Sequence, residues 1–476
     1  MIKTKKDLFI NGNWIKAKEY RYLTSPYSGE VIASIPIATE QEVNLAIESA
    51  ERAREIMKEM PAYERAAILE RLVNMFEKRS EEAVEIIALE AAKPSTTARD
   101  EVARTIQTYK FAAEEAKRIH GETIPMDAAP GGRGRAAYTV RESIGVIGAI
   151  TPFNFPMNLV AHKVGPAIAA GNPIVLKPAS QTPLSSYFLA ELLHDAGLPP
   201  GALNVITGTG KVIGDKLVTD PRVVAITFTG SPEVGTDIRN KAGLKRVTLE
   251  LGSNAAVIVD KGVDLGNIIP RCVKGAFSFQ GQVCISLQRI YVHEDIYNVF
   301  VEKFVEETKQ LKIGNPLDPE TDVSALISKK DVERTLNWIE EARQEGAEVI
   351  TGGAAEGNIL LPTVLLNVSS SMKVSCQEVF APIVIINKVQ STKEAFELVN
   401  HSRYGLQAGI YTENIHTALD AAERLHVGGV MINDIPTFRV DHMPYGGVKE
   451  SGIGREGIKY AVEEMTEMKL IVFNRN

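Results

Sequence analysis

The sequence predicts an α/β fold, on three observations. Short apolar runs bounded by turn residues alternate twice with helical stretches, the pattern of βαβ units and a mainly parallel sheet. The strand-like runs of the first block end in turns rich in Gly, Ser and Pro, where such sheets bind nucleotides. The chain is 476 residues long, more than one ordinary core holds, so two or three domains or one large unit with an insertion are expected. An apolar fraction of 44% and a charged fraction of 24% are those of a soluble globular protein. A formal net charge of -7 argues against a nucleic-acid binder. No apolar run reaches membrane-spanning length, and no signal-peptide core follows the charged residues 1–7. With only three cysteines, these features point to a reducing cytoplasm.

In chain order, Leu8-Phe-Ile-Asn11-Gly12-Asn-Trp14 reads as a hairpin in which Asn-Gly supplies the two positive-φ residues. Thr39 and Glu42 have capping-box spacing, and Val43, Ala46, Ile47, Ala50 and Ala53 mark one apolar helix face. Helices fit 63–79 and 80–92, with Pro94 as a stop, and a fourth fits about 100–117. Their many charges read as solvated faces. Pro130-Gly-Gly-Arg-Gly-Arg135 marks a break, and strands fit 137–140 and 144–150 beyond it. The first alternating block has strands at 145–150, 173–176, 202–206 and 225–228, with helices at 157–170, 183–196 and 212–219. The second has strands at 255–259, 289–292, 362–366, 383–388, 409–411 and 430–433, with helices at 295–311, 329–345 and 393–399. A last strand fits 469–473. It lies far from both sheets in sequence and is expected to pair elsewhere, across a subunit contact.

Three turns of the first block follow strands: Thr151-Pro152-Phe153-Asn154-Phe-Pro156, Lys177-Pro-Ala-Ser180, and Phe228-Thr229-Gly230-Ser231-Pro-Glu-Val-Gly235. The first and last open into helices, whose free N–H groups suit a phosphate. Gly208-Thr-Gly210-Lys-Val-Ile-Gly214 departs by one residue from the dinucleotide fingerprint and is weak alone. The stretch Phe277-Ser-Phe-Gln-Gly281-Gln-Val283-Cys284 places a cysteine in a loop after a Gly-Gln pair. By itself Cys284 is better explained as a buried structural thiol than as a nucleophile, and the rest of the sequence reverses that balance. Neither Cys272, Cys376 nor the eight scattered histidines have metal-ligand spacing, so no metal is expected.

Taken together with Leu249-Glu250-Leu251-Gly252, Glu378-Val-Phe380-Ala-Pro382 and Pro444-Tyr-Gly-Gly-Val-Lys449-Glu-Ser-Gly-Ile-Gly-Arg455-Glu, these motifs resemble the NAD(P)-dependent aldehyde dehydrogenase superfamily. The likeness runs in the family's order over nearly the whole chain. It implies a Rossmann-type cofactor domain at 1–122 and 145–252, an α/β catalytic domain at 253–452, and a small β bridging element at 123–144 and 453–476 that holds a homodimer or homotetramer. It implies Cys284 as the nucleophile, Asn154 with the backbone N–H of Cys284 as the oxyanion hole, and Glu250 as the base that activates water. Thr151, Pro152, Phe153, Lys177, Ser180, Gly210, Gly214, Phe228, Thr229, Gly230, Ser231, Gly235 and Leu251 match the adenosine and pyrophosphate surroundings, and Glu378 and Phe380 the nicotinamide ribose. Outside that context Glu250 reads as an ion-paired carboxylate and Asn154 as a helix cap.

Departures from the family pattern bear on specificity. Many NAD-specific relatives carry Glu where this chain has Ser180, so the charge objection to NADP is gone and either NAD or NADP is expected. Glu250 is usually absent from relatives that acylate coenzyme A, which leaves water as the acceptor. Ser253-Asn254 stands where Gly-Lys is commoner, and no mechanistic account of it is offered. Val283 stands where phosphonate-binding relatives often have Arg, and Ser286 where succinate-semialdehyde relatives often have a second Cys. The loop Phe438-Arg439-Val-Asp-His442-Met-Pro-Tyr resembles the lactaldehyde and non-phosphorylating glyceraldehyde-3-phosphate branch. A small, polar 2-hydroxy aldehyde such as lactaldehyde is the first expectation. An aldehyde with an anionic tail, held by Arg104 and Arg439, is the second, and a catalytically silent member of the fold is the third.

Overall fold

A computed structural model describes residues 4–475; the first three residues of the charged amino terminus lie outside it. Its centre is an eight-stranded sheet in the order Gly452–Ile453, Arg246–Glu250, Val223–Thr229, Val146–Ile150, Ile174–Lys177, Leu203–Val205, Leu8–Ile10, Asn13–Ile15. The five inner strands are parallel, and both flanks are antiparallel. Successive strands run one way from Val146–Ile150 and then restart on its other side at Val223–Thr229. The order therefore reverses between those two strands, and the crevice at their carboxyl ends is where a doubly wound sheet takes a ligand. Apolar side chains cover both faces of this sheet, as parallel strands require.

The second sheet has seven strands, Glu348–Thr351, Thr363–Leu366, Ile383–Val389, Arg289–His293, Ala256–Val259, Gln407–Tyr411 and Gly429–Ile432, parallel except for the first. Asn11 and Gly12 turn the amino-terminal hairpin with φ of 54° and 72°, and the Thr39–Glu42 capping box closes as its spacing predicts. A further hairpin, Glu19–Thr24 with Val31–Ile37, was not anticipated because Pro36 interrupts its pattern.

Two expectations need correction. The fourth helix is Ser95–Ala116, starting five residues before the expected 100. Pro94 ends the preceding helix and also serves as the cap of the next, with the Ser95 N–H bonded to the Pro316 carbonyl at 2.7 Å. The tail strand does not wait for another subunit. Thr466–Asn474 pairs along its whole length with Arg135–Ser143 of the same chain, in a three-stranded sheet completed by Thr123–Ile124. Among the described residues no helix is long and apolar enough to cross a membrane.

Candidate active site

The loop before Cys284 is held in an unusual conformation. Phe279, Gln280 and Gly281 follow one another with φ of 48°, 55° and 68°. Left-handed backbone costs about 1–2 kcal/mol for each non-glycine residue, so the surroundings must impose it. The buried Gln280 amide donates to the carbonyls of Ala92 and Ala325 at 3.0 and 2.8 Å, and Gln282 Oε1 accepts from Ile327 N–H at 3.0 Å. A Cβ on Gly281 would lie 2.3 Å from the Ala381 carbonyl oxygen, so only glycine fits there. These ties set Cys284 on the inner wall of a cavity of about 440 Å³, lined also by Arg104, Phe155, Lys274, Arg439 and Tyr445.

Asn154 follows the strand Val146–Ile150. Its Nδ2 donates one hydrogen to the Gln282 carbonyl at 3.0 Å, two residues before Cys284, which leaves a second hydrogen on the same nitrogen. Its own carbonyl accepts from the buried Lys93 ammonium at 2.7 Å. Lys93 in turn meets Glu101, whose carboxylate accepts the N–H groups of Met157 and Asn158 at 2.9 and 3.2 Å. The Asn154 loop is thus pinned from both sides. Lys93 and Glu101 were not singled out in the sequence, where they read as ordinary helix charges.

Glu250 ends the strand Arg246–Glu250, opposite Thr229 in register. It is buried, and neither carboxylate oxygen has a hydrogen-bond partner. Burial and then the neighbouring Glu456 raise its pKa well above the usual carboxylate range, against Arg439, Lys163 and Arg455. Glu456 is held low instead: burial opposes its ionisation, but Lys163 and Arg439 outweigh it. A carboxyl free of partners and with a raised pKa is, once ionised, a stronger proton acceptor than an ordinary carboxylate. Burial pushes the Cys284 thiol up to about 11, opposed by Tyr445 and Arg439.

The sheet register gathers the expected cofactor residues on one carboxyl edge. Ile150 lies opposite both Phe228 and Lys177, so Thr151, Pro152, Phe153, Lys177, Thr229 and Ser231 follow adjacent strand ends. Ser231 caps the ten-residue helix Pro232–Lys241. Gly210 and Gly214 lie in a π-turn, Gly210–Gly214, in place of the first turn of an expected longer helix, and no side chain crowds Gly210. Several of these residues also have contacts within the chain. The Thr229 hydroxyl accepts from Lys163 Nζ at 2.7 Å. The Phe228 ring would lie 2.4 Å from a Cβ on Gly230, and Leu251 2.5 Å from one on Gly235, so those glycines make room for packing. Phe153 and Phe380 meet edge to face with centroids 5.7 Å apart. Glu378 accepts the Ser253 N–H at 2.9 Å on one oxygen, and burial pushes it up to about 7. Beside Ser180 the structure places a cation the sequence did not flag: Arg21 donates to the Ser180 carbonyl. Lys177 is lowered to about 8 by burial and then by Arg21.

Arg104 and Arg439 both reach the cavity, but each has a carboxylate. Arg104 forks onto Asp441 at 3.1 and 2.7 Å, and Arg439 meets Glu456 at 3.0 Å. Among the described residues no group of three His, Cys, Asp or Glu side chains is placed to hold a metal ion.

The profile of the "Aldehyde dehydrogenase family" matches residues 14–471. The chain is 48% identical over 467 residues to the 3-sulfolactaldehyde dehydrogenase of Priestia aryabhattai, covering 98% of each. It is 41% identical to the lactaldehyde dehydrogenase of Methanococcus aeolicus, over 98% of this chain and 100% of the other. The crystal structure of the glyceraldehyde-3-phosphate dehydrogenase GapN from Methanocaldococcus jannaschii, complexed with NADP, superposes with a TM-score of 0.93 at 42% identity, covering 96% of this chain and 100% of that one.

Proposed function

The chain belongs to the aldehyde dehydrogenase family, and from that premise we propose how its cavity works. It is an NAD(P)-dependent oxidoreductase of small, polar aldehydes. The reading supported best is oxidation of a lactaldehyde-like 2-hydroxy aldehyde to its carboxylate. The observation that carries it is the setting of Cys284: the thiol lies on the cavity wall, Asn154 bonds the backbone two residues before it and keeps a spare amide hydrogen, and the buried Glu250 carboxyl, whose charge bears on the thiol, is unpartnered. Cys284 Sγ adds to the carbonyl carbon and forms a thiohemiacetal. The free Nδ2 hydrogen of Asn154 and the backbone N–H of Cys284 hold the resulting oxyanion. Glu250 then takes a proton from the water that cleaves the thioester. Asn154→Ala is expected to lower kcat roughly 10²–10³-fold while leaving cofactor affinity unchanged, read by steady-state kinetics beside a cofactor titration.

The carboxyl edge fits the dinucleotide. Lys177 and Ser180 would hold the adenosine ribose, Gly210, Gly214 and the Pro232–Lys241 N-terminus the pyrophosphate, and the free oxygen of Glu378 the nicotinamide ribose. When bound, the nicotinamide supplies the hydride acceptor that turns the thiohemiacetal into a thioester. Ser180→Glu places a carboxylate where a 2′-phosphate would sit. NADP affinity should fall at least roughly tenfold, with NAD affinity kept, in a titration of the apoenzyme.

A second substrate reading has its own support. Lys274 on the cavity wall has no carboxylate partner among the described residues, and Arg104 stands on the same wall, which suits a sulfonate or other anionic tail on the same carbon skeleton. Reduction of NAD and NADP with lactaldehyde and with 3-sulfolactaldehyde, compared as kcat/KM, decides between them.

For the assembly we take 1–122 with 145–252 as the cofactor domain, 253–452 as the catalytic domain and 123–144 with 453–476 as the bridging element of a homodimer or homotetramer. The support is the open edge of Thr466–Asn474, which exposes Met468, Leu470, Val472 and Phe473. Three unpaired cysteines suit the cytoplasm.

A further inference from the structure

Behind the nucleophile stands a group that the mechanism above does not use. Tyr445 is buried, and its hydroxyl lies 2.8 Å from Cys284 Sγ. The Arg439 guanidinium carbon sits 3.6 Å from the centre of the Tyr445 ring. Arg439 is itself fixed, by Glu456 at 3.0 Å and by His162 at 3.2 Å. Glu456 also clamps the Tyr445 backbone: the N–H of each donates to the carbonyl of the other, at 3.0 and 2.6 Å. Phenol, guanidinium and carboxylate therefore form one rigid unit aimed at the sulfur. A thiolate has no proton to give, so in the reactive state the phenol is the donor. A cation on the face of the ring draws electron density from the hydroxyl and strengthens that donation.

We propose that Tyr445 is a catalytic residue: its hydroxyl donates to Cys284 Sγ and stabilises the thiolate that attacks the aldehyde, with Arg439 polarising its ring. The inference rests on Cys284 being the nucleophile. The thiol proton passes to water before attack. The sulfur lone pair then forms the C–S bond as the carbonyl π pair moves to oxygen, and the phenol keeps its proton throughout. Sulfur in the thiohemiacetal is a weak acceptor, so the bond acts on the nucleophile and is relaxed once the adduct forms. The charges facing the sulfur are Glu250 and Glu378, which oppose the thiolate, and Arg439, which favours it with Tyr445. Tyr445 burial keeps the phenol protonated, and the carboxylates remain in place when its hydroxyl is removed.

The test is iodoacetamide alkylation of the full-length apoenzyme against pH, with the modified cysteine located by peptide mass. Tyr445→Phe should raise the midpoint of the Cys284 profile by about one unit. At pH 7.5 its rate should fall about threefold, because tenfold less thiolate is partly offset by a thiolate about three times more nucleophilic. The limiting rate at high pH should exceed that of wild type, which a packing defect would not produce. Placing 3-fluorotyrosine at position 445 acidifies the phenol and should move the midpoint the other way. Unchanged midpoints, or shifts in the same direction for both variants, would overturn the proposal. Cys284→Ser separates the two claims: if the titrating alkylation persists there, the nucleophile is misassigned. If it vanishes while Tyr445→Phe matches wild type, only the role of Tyr445 fails.

Discussion

Glu250→Gln is expected to reduce one equivalent of cofactor rapidly and then stop. The substitution preserves shape and removes the proton acceptor, so acylation proceeds and thioester hydrolysis does not. Steady-state kcat should fall by roughly 10²–10⁴, the span of general base catalysis, while the first-turnover rate stays within a few-fold of wild type. Stopped-flow absorbance of the reduced cofactor separates the two phases. The wild-type hydrolytic phase should quicken as pH rises, because the ionised form is the active one and burial beside Glu456 places its pKa above the ordinary value. That alkaline gain should be missing from the variant. A variant that loses burst and turnover alike would assign Glu250 to acylation or to folding.

Cys284→Ala is expected to abolish both phases. Neither of the other cysteines is placed to attack in its stead: Cys272 is fully buried with its thiol raised by that burial, and Cys376 is outside the cavity lining. A loss of at least about 10⁴ in kcat, with cofactor affinity unchanged, is the expected size for removing a nucleophile that acts as a unit with its neighbours. Equilibrium titration with NADP and thermal melting would show that the variant still folds and binds. Retained turnover would move the chemistry elsewhere.

How much of this could be read from the chain depended on whether a residue's role is carried by its neighbours in sequence. Cys284, Glu250 and Asn154 sit in local motifs, and the period of the apolar runs located the strands that carry them. The helix start at Ser95 was obscured because polar residues 95–97, of which Thr96 and Thr97 are β-branched, weaken the pattern that packing then overrides. Strand periodicity alone could not pair the tail with Arg135–Ser143, 300 and more residues earlier; only the family resemblance put the two segments in one small β element. Nor could periodicity show the contact between Tyr445 and Cys284, 161 residues apart, or Lys93 beneath Asn154, 61 residues away. Thr229 has a contact its motif did not disclose. Its motif suggested a cofactor contact, and its hydroxyl also accepts from Lys163, a residue that reads as one more helix charge. Arg21 went unnoticed because its strand belongs to a hairpin that Pro36 disguised.

The central claim is that the substrate passes through a thioester on Cys284 that only Glu250 discharges. Mass spectrometry of Glu250→Gln, acid-quenched after mixing with lactaldehyde and NADP or NAD, tests it most directly. The account predicts one lactoyl group per active chain, on the peptide that contains Cys284, accumulating in step with the burst of reduced cofactor. A burst with no adduct, or an adduct on any other residue, would contradict it.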